Sequence, residues 1–334
     1  MGKPDITNAE RPERVRVGGV DVKRAAQFRK RFPPAAKRHL FIRDHILFEQ
    51  KDTPVNPERT EDVDPDETAR WVKDWVLEAG ADAVGIAQYD QRFTFAQVEQ
   101  PGAQDDQPGH GAVIVFAMAM KYDYMADIGP RSQDEVHRIY YRLDDLGVRL
   151  ANQIGGFGYR ARMQANGGDI PLVPFAWLAG LGELGKHGSL ISPELGSSFR
   201  LGAVSTDLPL TPDGPKDFGI EEVCASCNIC TRFCPGDAIG PDKKTVAGIE
   251  RWSVDRAACE PWFHRLYGCK ICLMVCPLNA KSIFAEAFKP TARDIRDAKD
   301  AKGLLALIES RTEMRYGELD YGAAGDPPIA PEDE

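Results

Sequence analysis

Eight cysteines, all that the 334-residue chain contains, fall into two blocks. The first is Cys224, Cys227, Cys230 and Cys234 followed by Pro235; the second is Cys259, Cys269, Cys272 and Cys276 followed by Pro277. Three thiolates at every third residue wrap one iron–sulfur cubane, and the fourth, set further off and turned by the proline, reaches the neighbouring cluster. The spacing therefore predicts two [4Fe–4S] clusters. One is held by Cys224, Cys227, Cys230 and Cys276, the other by Cys234, Cys259, Cys269 and Cys272. Disulfides need an oxidising compartment, and zinc sites rarely repeat such a run. Every cysteine is consumed, so none remains as a nucleophile or a bridge. The chemistry this licenses is electron transfer.

A second chemistry-bearing stretch runs from Gly180 to Gly202. Gly180, Gly182 and Gly185 match the glycine pattern of a dinucleotide fold. However, Pro171 and Pro174 stand where the preceding central strand should be, and no acid follows at roughly twenty residues. A phosphate-loop reading fails as well, because His187 occupies the place of the magnesium-binding Ser or Thr. Glycines and serines at this density let backbone approach a large flat ligand closely, and a corrin ring suits such a surface. Its expected contacts are Gly180, Gly182, Gly185, His187, Gly188, Ser189, Leu190 and Ser192.

That block, continued through Arg200 to Asp207-Leu208-Pro209-Leu210 and joined to the two cysteine runs, resembles the cobalamin-dependent reductive dehalogenases and their relatives, the epoxyqueuosine reductases. The resemblance covers roughly residues 70–285. It implies an α+β fold: a nitroreductase-like, cobalamin-binding α/β sandwich joined to a ferredoxin-like domain with two [4Fe–4S] clusters. It also implies base-off cobalamin, reduced to Co(I) by those clusters, and removal of halide from a small organohalide. None of His39, His45, His110, His137, His187 and His264 lies in the Asp-x-His-x-x-Gly setting of a cobalt-ligating imidazole, which fits an open axial face.

In the dehalogenases the proton comes from a Tyr beside a Lys or Arg, since a positive charge lowers a phenol pKa and stabilises the phenolate. The matching residues here are Tyr141 and, second, Tyr140, with Arg200 as the cation and Lys186 as its alternative. Tyr140 lies on an apolar stripe and reads as core. In the epoxyqueuosine reductases the donor is an acid on the same helix, near Glu135 or Asp134. Their Gly-Trp-Ile-Gly-Lys-Asn block appears as Gly182-Glu183-Leu184-Gly185-Lys186-His187, without the Trp and Asn. The flavin and ferredoxin-reductase region of the self-sufficient catabolic members is not seen, so the resemblance implies a separate donor such as a ferredoxin or flavodoxin. The alternatives are a tRNA-modifying enzyme like the epoxyqueuosine reductases and, from another class, a cobalt-free dicluster electron-transfer protein.

A net charge of −9 and a pI near 5.3 disfavour a nucleic-acid partner, which is bound mainly through Lys and Arg. Residues 1–50 depart from that balance, with twelve Lys or Arg against six acids. No apolar run approaches the roughly 18 residues that cross a bilayer. No export signal is read, so a cytoplasmic protein is expected, leaving open a removed twin-arginine signal.

These residues must be positioned by elements, and hydrophobic periodicity supplies them. Residues 1–65 read as an extended wrap with one short apolar stretch, Leu40 to Leu47. Residues 66–210 form the cobalamin-binding domain, 211–285 the cluster domain, with the boundary in the Pro/Asp/Gly segment 209–216, and 286–334 a helix at 302–309 with a polar tail. Asp64-Pro65 starts a helix that Gly80 stops. Residues 83–87 form a strand, and 111–118 a strand buried on both faces. A helix covers 132–154, and another strand runs from Tyr159 to Met163. A pocket lined by the wrap, by Tyr122, Tyr124 and Met125, and by Trp177 suits an apolar or aromatic organohalide.

Overall fold

Apolar runs of the sequence become the centre of a sheet. The computed structural model describes residues 28–93, 111–121, 124–125, 129–246 and 248–279. The arm before residue 28, Tyr122, the expected helix at 302–309 and the polar tail lie outside the described residues. In chain order the elements are α1 (Pro34–Ile42), a π-turn (Arg43–Leu47), α2 (Pro65–Glu78), β1 (Ala83–Gln88), β2 (Ala112–Ala119), α3 (Arg131–Gly156), β3 (Ala161–Gln164) and α4 (Leu172–Leu178). There follow β4 (Glu183–Leu184), β5 (Leu190–Ile191), β6 (Phe199–Thr206), α5 (Ile220–Ser226), α6 (Ile229–Arg232), β7 (Ile239–Val246), β8 (Ile249–Val254), α7 (Arg256–Arg265) and α8 (Ile271–Met274).

The main sheet has the order β1-β2-β6-β3, with every neighbouring pair antiparallel. Strand β2 is buried on both faces, as its unbroken apolar run predicts. Its alternation sends Ile114, Phe116 and Met118 into the core under α3, and Val113, Val115 and Ala117 into the core under α4. The result is a helix–sheet–helix sandwich. The two prolines of 171–177 belong to α4, which agrees with rejecting a dinucleotide strand there.

Helix α2 begins where expected. Asp64 accepts from the N–H groups of Asp66 at 2.8 Å and Glu67 at 3.0 Å, and Gly80 ends the helix at φ +99°. Helix α3 runs slightly beyond its predicted ends. The extended segment 52–60 lies against its last turn, where Asn56 N–H donates to Gly155 O at 2.9 Å. A side chain at Gly155 would collide with the Pro54 carbonyl, so glycine there permits the close approach. The expected boundary segment is held to the sheet: Asp213 Oδ2 accepts from Ile86 N–H at 2.8 Å and Asp213 Oδ1 from Lys73 at 2.5 Å.

The short apolar stretch before residue 48 docks on α3 through a buried ion pair. Arg43 Nε donates to Asp144 Oδ2 at 2.6 Å, with side chains 9% and 4% exposed. Burial pushes the Asp144 carboxyl pKa up, and the Arg43 charge and hydrogen bond oppose that rise. Removing one partner of such a pair strands a charge in a dry interior. Arg43→Met is therefore expected to lower unfolding free energy by about 3–5 kcal/mol. Arg43→Met combined with Asp144→Leu should recover most of that loss, as measured by chemical denaturation.

Candidate redox site

All eight cysteines are free thiols, and they lie on α5, α6, α7, α8 and the turns between them. Burial dominates each of their resolved shifts, pushing Cys230 up to about 12 and Cys269 up to about 11. The secondary causes sort the thiols. Cys276 feels Cys224, Cys230 and Cys227, whereas Cys272 feels Cys269, Cys259 and Cys234, and Cys230 as well. Cys276 of the second run thus lies near three thiols of the first, and Cys234 of the first run lies near Cys259, Cys269 and Cys272 of the second, with Cys230 and Cys272 bringing the two runs within reach of one another. Among the described residues no three His, Cys, Asp or Glu side chains close on a single-ion site. Backbone N–H groups point at several sulfurs: Ala238 donates to Cys234 Sγ at 3.3 Å, and Ile271 and Leu278 donate to Cys269 and Cys276. Buried thiols with N–H donors fit a [4Fe–4S] cluster in each group.

The glycine block is a tight hairpin of β4 and β5, and this corrects the reason given for its composition. A Cβ at Gly182 would strike the Ile191 carbonyl, one at Gly185 would meet Ile191 Cδ1 at 2.7 Å, and one at Gly180 would meet Gly214 O at 2.7 Å. Gly188 holds φ +76° against Val254. Ser192 Oγ accepts from Glu194 and Leu195 N–H within its own turn, Ser189 N–H donates to His187 Nδ1 at 3.2 Å, and Leu190 is core. These glycines are filled by protein and leave no open cradle at their Cα atoms. What the block leaves unsatisfied is polar: His187 Nε2, Ser198 Oγ and Arg200 Nε are buried without hydrogen-bond partners among the described residues. Because His187 Nδ1 accepts, the neutral ring carries its proton on Nε2 and offers a donor, not a metal lone pair. Buried donors without acceptors fit a bound group rich in amide and phosphate oxygens, which a corrinoid is.

Lys186 is not beside either tyrosine. It is 2% exposed, and its Nζ donates to Asn228 Oδ1 at 2.9 Å and Ala225 O at 3.4 Å, inside the first cysteine run.

Arg200 is where the second site forms. Alternation along β6 turns Phe199 and Leu201 into the α4 core and Arg200 to the α3 face, where its guanidinium carbon lies 5.5 Å from the Tyr140 ring centroid. Arg43 approaches the same ring at 4.7 Å. Tyr140 thus stands between two cations. Tyr141, one position on, stacks on His39 at 5.3 Å and packs with Leu47, Val148 and Met163. Arg200 therefore meets Tyr140 and not the favoured Tyr141. Arg43 carried no signal of its own in the sequence, being one of twelve Lys or Arg in residues 1–50. Of the two acids on α3, Glu135 accepts from Lys121 N–H at 2.7 Å and pairs with Arg138, and Asp134 accepts from Ala36 N–H at 3.1 Å. Trp177 packs on the α4 side of the sheet, away from the Tyr140 face, so it cannot line a pocket there. Tyr124 lies under Arg131, at 4.4 Å, and Met125 is buried in the α3-side core.

Fold and site together define a chain related to the reductive dehalogenases and carrying an iron–sulfur domain. Residues 223–290, which include all eight cysteines, match the 4Fe-4S dicluster domain family. The chain is 30% identical over 263 residues to the tetrachloroethene reductive dehalogenase of Sulfurospirillum multivorans, covering 66% of this chain and 52% of that protein. It is 33% identical over 210 residues to the epoxyqueuosine reductase of Lactococcus garvieae, covering 60% and 58%. A solved reductive dehalogenase, described as suggesting a mechanism for B12-dependent dehalogenation, matches at 25% identity with a TM-score of 0.68, over 86% of this chain and 43% of that one. The chain spans about half the length of the curated dehalogenases it matches. The resemblance carried by the glycine block and cysteine runs is borne out, as are the α+β fold and the iron–sulfur domain. No helix among the described residues is long and apolar enough to cross a membrane.

Two buried histidines give the site a pH signature. Burial pushes His187 down to about 4, and burial followed by the charges of Arg43, Arg29, Arg200 and His39 pushes His137 down to about 3. Between those values and the ordinary 6.5, the unfolded chain takes up protons that the folded chain refuses, so stability falls as pH drops through that window. Each histidine should cost about 2 kcal/mol on going from pH 7 to pH 5. His187→Gln is expected to lose about 2 kcal/mol less than the wild type over the same interval, in urea denaturation at the two pH values.

Proposed function

We propose that this chain is a corrinoid iron–sulfur reductive dehalogenase, which converts R–X, two electrons and a proton to R–H and halide. The observation that carries the reading is the four-residue run entering β6. Ser197 Oγ donates to Leu273 O, beside Cys272, at 3.1 Å, and three residues later Arg200 lies over Tyr140. Electron-carrying thiols and a phenol flanked by cations are thereby joined across one short stretch that also bears the unpartnered Ser198 Oγ.

In this reading residues 66–210 hold cobalamin, with His187 Nε2–H and Ser198 Oγ as donors to its polar groups, and residues 211–285 hold two [4Fe–4S] clusters. Cobalamin, when bound, supplies the strongly reducing centre at which the carbon–halogen bond breaks. The two thiol groups would hold the clusters, which would supply one-electron carriage from a separate donor such as a ferredoxin or flavodoxin. Tyr140 Oη gives the proton to carbon, and Arg200 and Arg43 stabilise the negative charge left on the phenol oxygen. The phenol, rather than an acid, takes this part because Glu135 and Asp134 are already engaged.

The test is protein made without oxygen and supplied with cobalamin, assayed for metals and for turnover of a halogenated phenol. About one cobalt and about eight irons per chain, with a base-off Co(II) signal, are expected. Tyr140→Phe should lower turnover about 10²–10⁴-fold with both metals retained, while Tyr141→Phe stays near wild type. Iron without cobalt would leave an electron-transfer protein, and full turnover by Tyr140→Phe would remove the phenol from the mechanism.

A further inference from the structure

We infer that Lys186 sets the reduction potential of the cluster held by Cys224, Cys227, Cys230 and Cys276, and so links the hairpin of the proposed cobalamin domain to electron delivery. The inference rests on the reading that these thiols hold a [4Fe–4S] cluster. Lys186 leaves the turn between β4 and β5 and is 2% exposed. Its Nζ donates to two neutral acceptors, Asn228 Oδ1 at 2.9 Å and Ala225 O at 3.4 Å, which both lie between the cysteines of the first run. Its backbone N–H donates to the Cys224 sulfur.

The surroundings make that charge count. Cys224 and Cys276 pack with Ile191, Ile220, Trp252 and Leu278, and Lys186 Nζ lies 5.4 Å from the Trp252 ring centroid. Glu183 is held by the N–H groups of Phe218 at 2.7 Å and Ile220 at 2.9 Å, and forms no ion pair with Lys186 among the described residues. The other thiol group has its own buried lysine, Lys270, whose Nζ donates to Ser132 Oγ at 2.7 Å. Each cluster is addressed by a different cation.

Reduction adds one electron, taken from a low-potential carrier that is itself oxidised by one electron, and turns a cluster with its four thiolates from a dianion into a trianion. A fixed positive charge in a dry site stabilises the trianion more. Removing the charge should therefore make that cluster harder to reduce, by tenfold or more in the reduction equilibrium, which is about 59 mV or more for a one-electron couple.

The experiment is an anaerobic redox titration of the full-length protein followed by EPR, with iron counted in every variant. Lys186→Met and Lys186→Gln are expected to lower one of the two cluster potentials by that amount and leave the other in place. Lys186→Arg should remain near wild type. Lys243 approaches the same Trp252 ring at 4.8 Å but is paired with Glu221 and partly exposed, so Lys243→Met should shift neither potential. Unmoved potentials in both neutral variants at full iron content would overturn the inference. Loss of iron from both would overturn it in favour of a folding role. A wild type that takes up no iron would instead sink the cluster reading itself.

Discussion

The antiparallel ladder between β2 and β6 is the constraint on which the rest of the molecule depends. It runs from Ala112 opposite Thr206 to Ala119 opposite Phe199 without a break, and both strands are buried on both faces. A ladder of this kind tolerates no slip, because moving one residue would exchange the two faces. Its register sets Arg200 opposite Met118 on the α3 side and brings Gly202 under Phe116 and Leu143. Without a side chain at Gly202, α3 settles close to the sheet, and Tyr140, one turn before Leu143, comes within reach of Arg200.

The second organising constraint is the cost of burying charge. Among the described residues, Arg43 is held by Asp144, Arg162 by Asp52 and Asp169, and Glu135 by Arg138, each with one partner nearly inaccessible to water. Such pairs are weak sources of stability but strict about geometry. They fasten the N-terminal segment to α3 and the segment at residue 52 to β3, and the first of them presents a guanidinium to the Tyr140 ring. Lys186 is held differently: its Nζ donates to the neutral acceptors Asn228 Oδ1 and Ala225 O. Around both thiol groups the same dryness raises the thiol pKa values and would make any cluster charge sensitive to a single nearby cation.

The sequence by itself determined the elements and the electron-carrying residues. The helix beginning at Pro65, the doubly buried strand, the long helix and the two cysteine runs of the iron–sulfur domain all follow from local spacing, since a cap, an apolar period and a cysteine interval are properties of neighbours along the chain. Only the tertiary structure decided which residues meet. Adjacent tyrosines on a helix point about 100° apart, and the docking of α3 against β6 and Arg43 brought Tyr140, not Tyr141, beside the two guanidiniums. Closure of the β4–β5 hairpin turned the glycines inward on protein and carried Lys186 from an expected place beside a phenol to the first cysteine run. These are contacts between segments some 40 to 100 residues apart, and no local period encodes the angle at which two such segments pack.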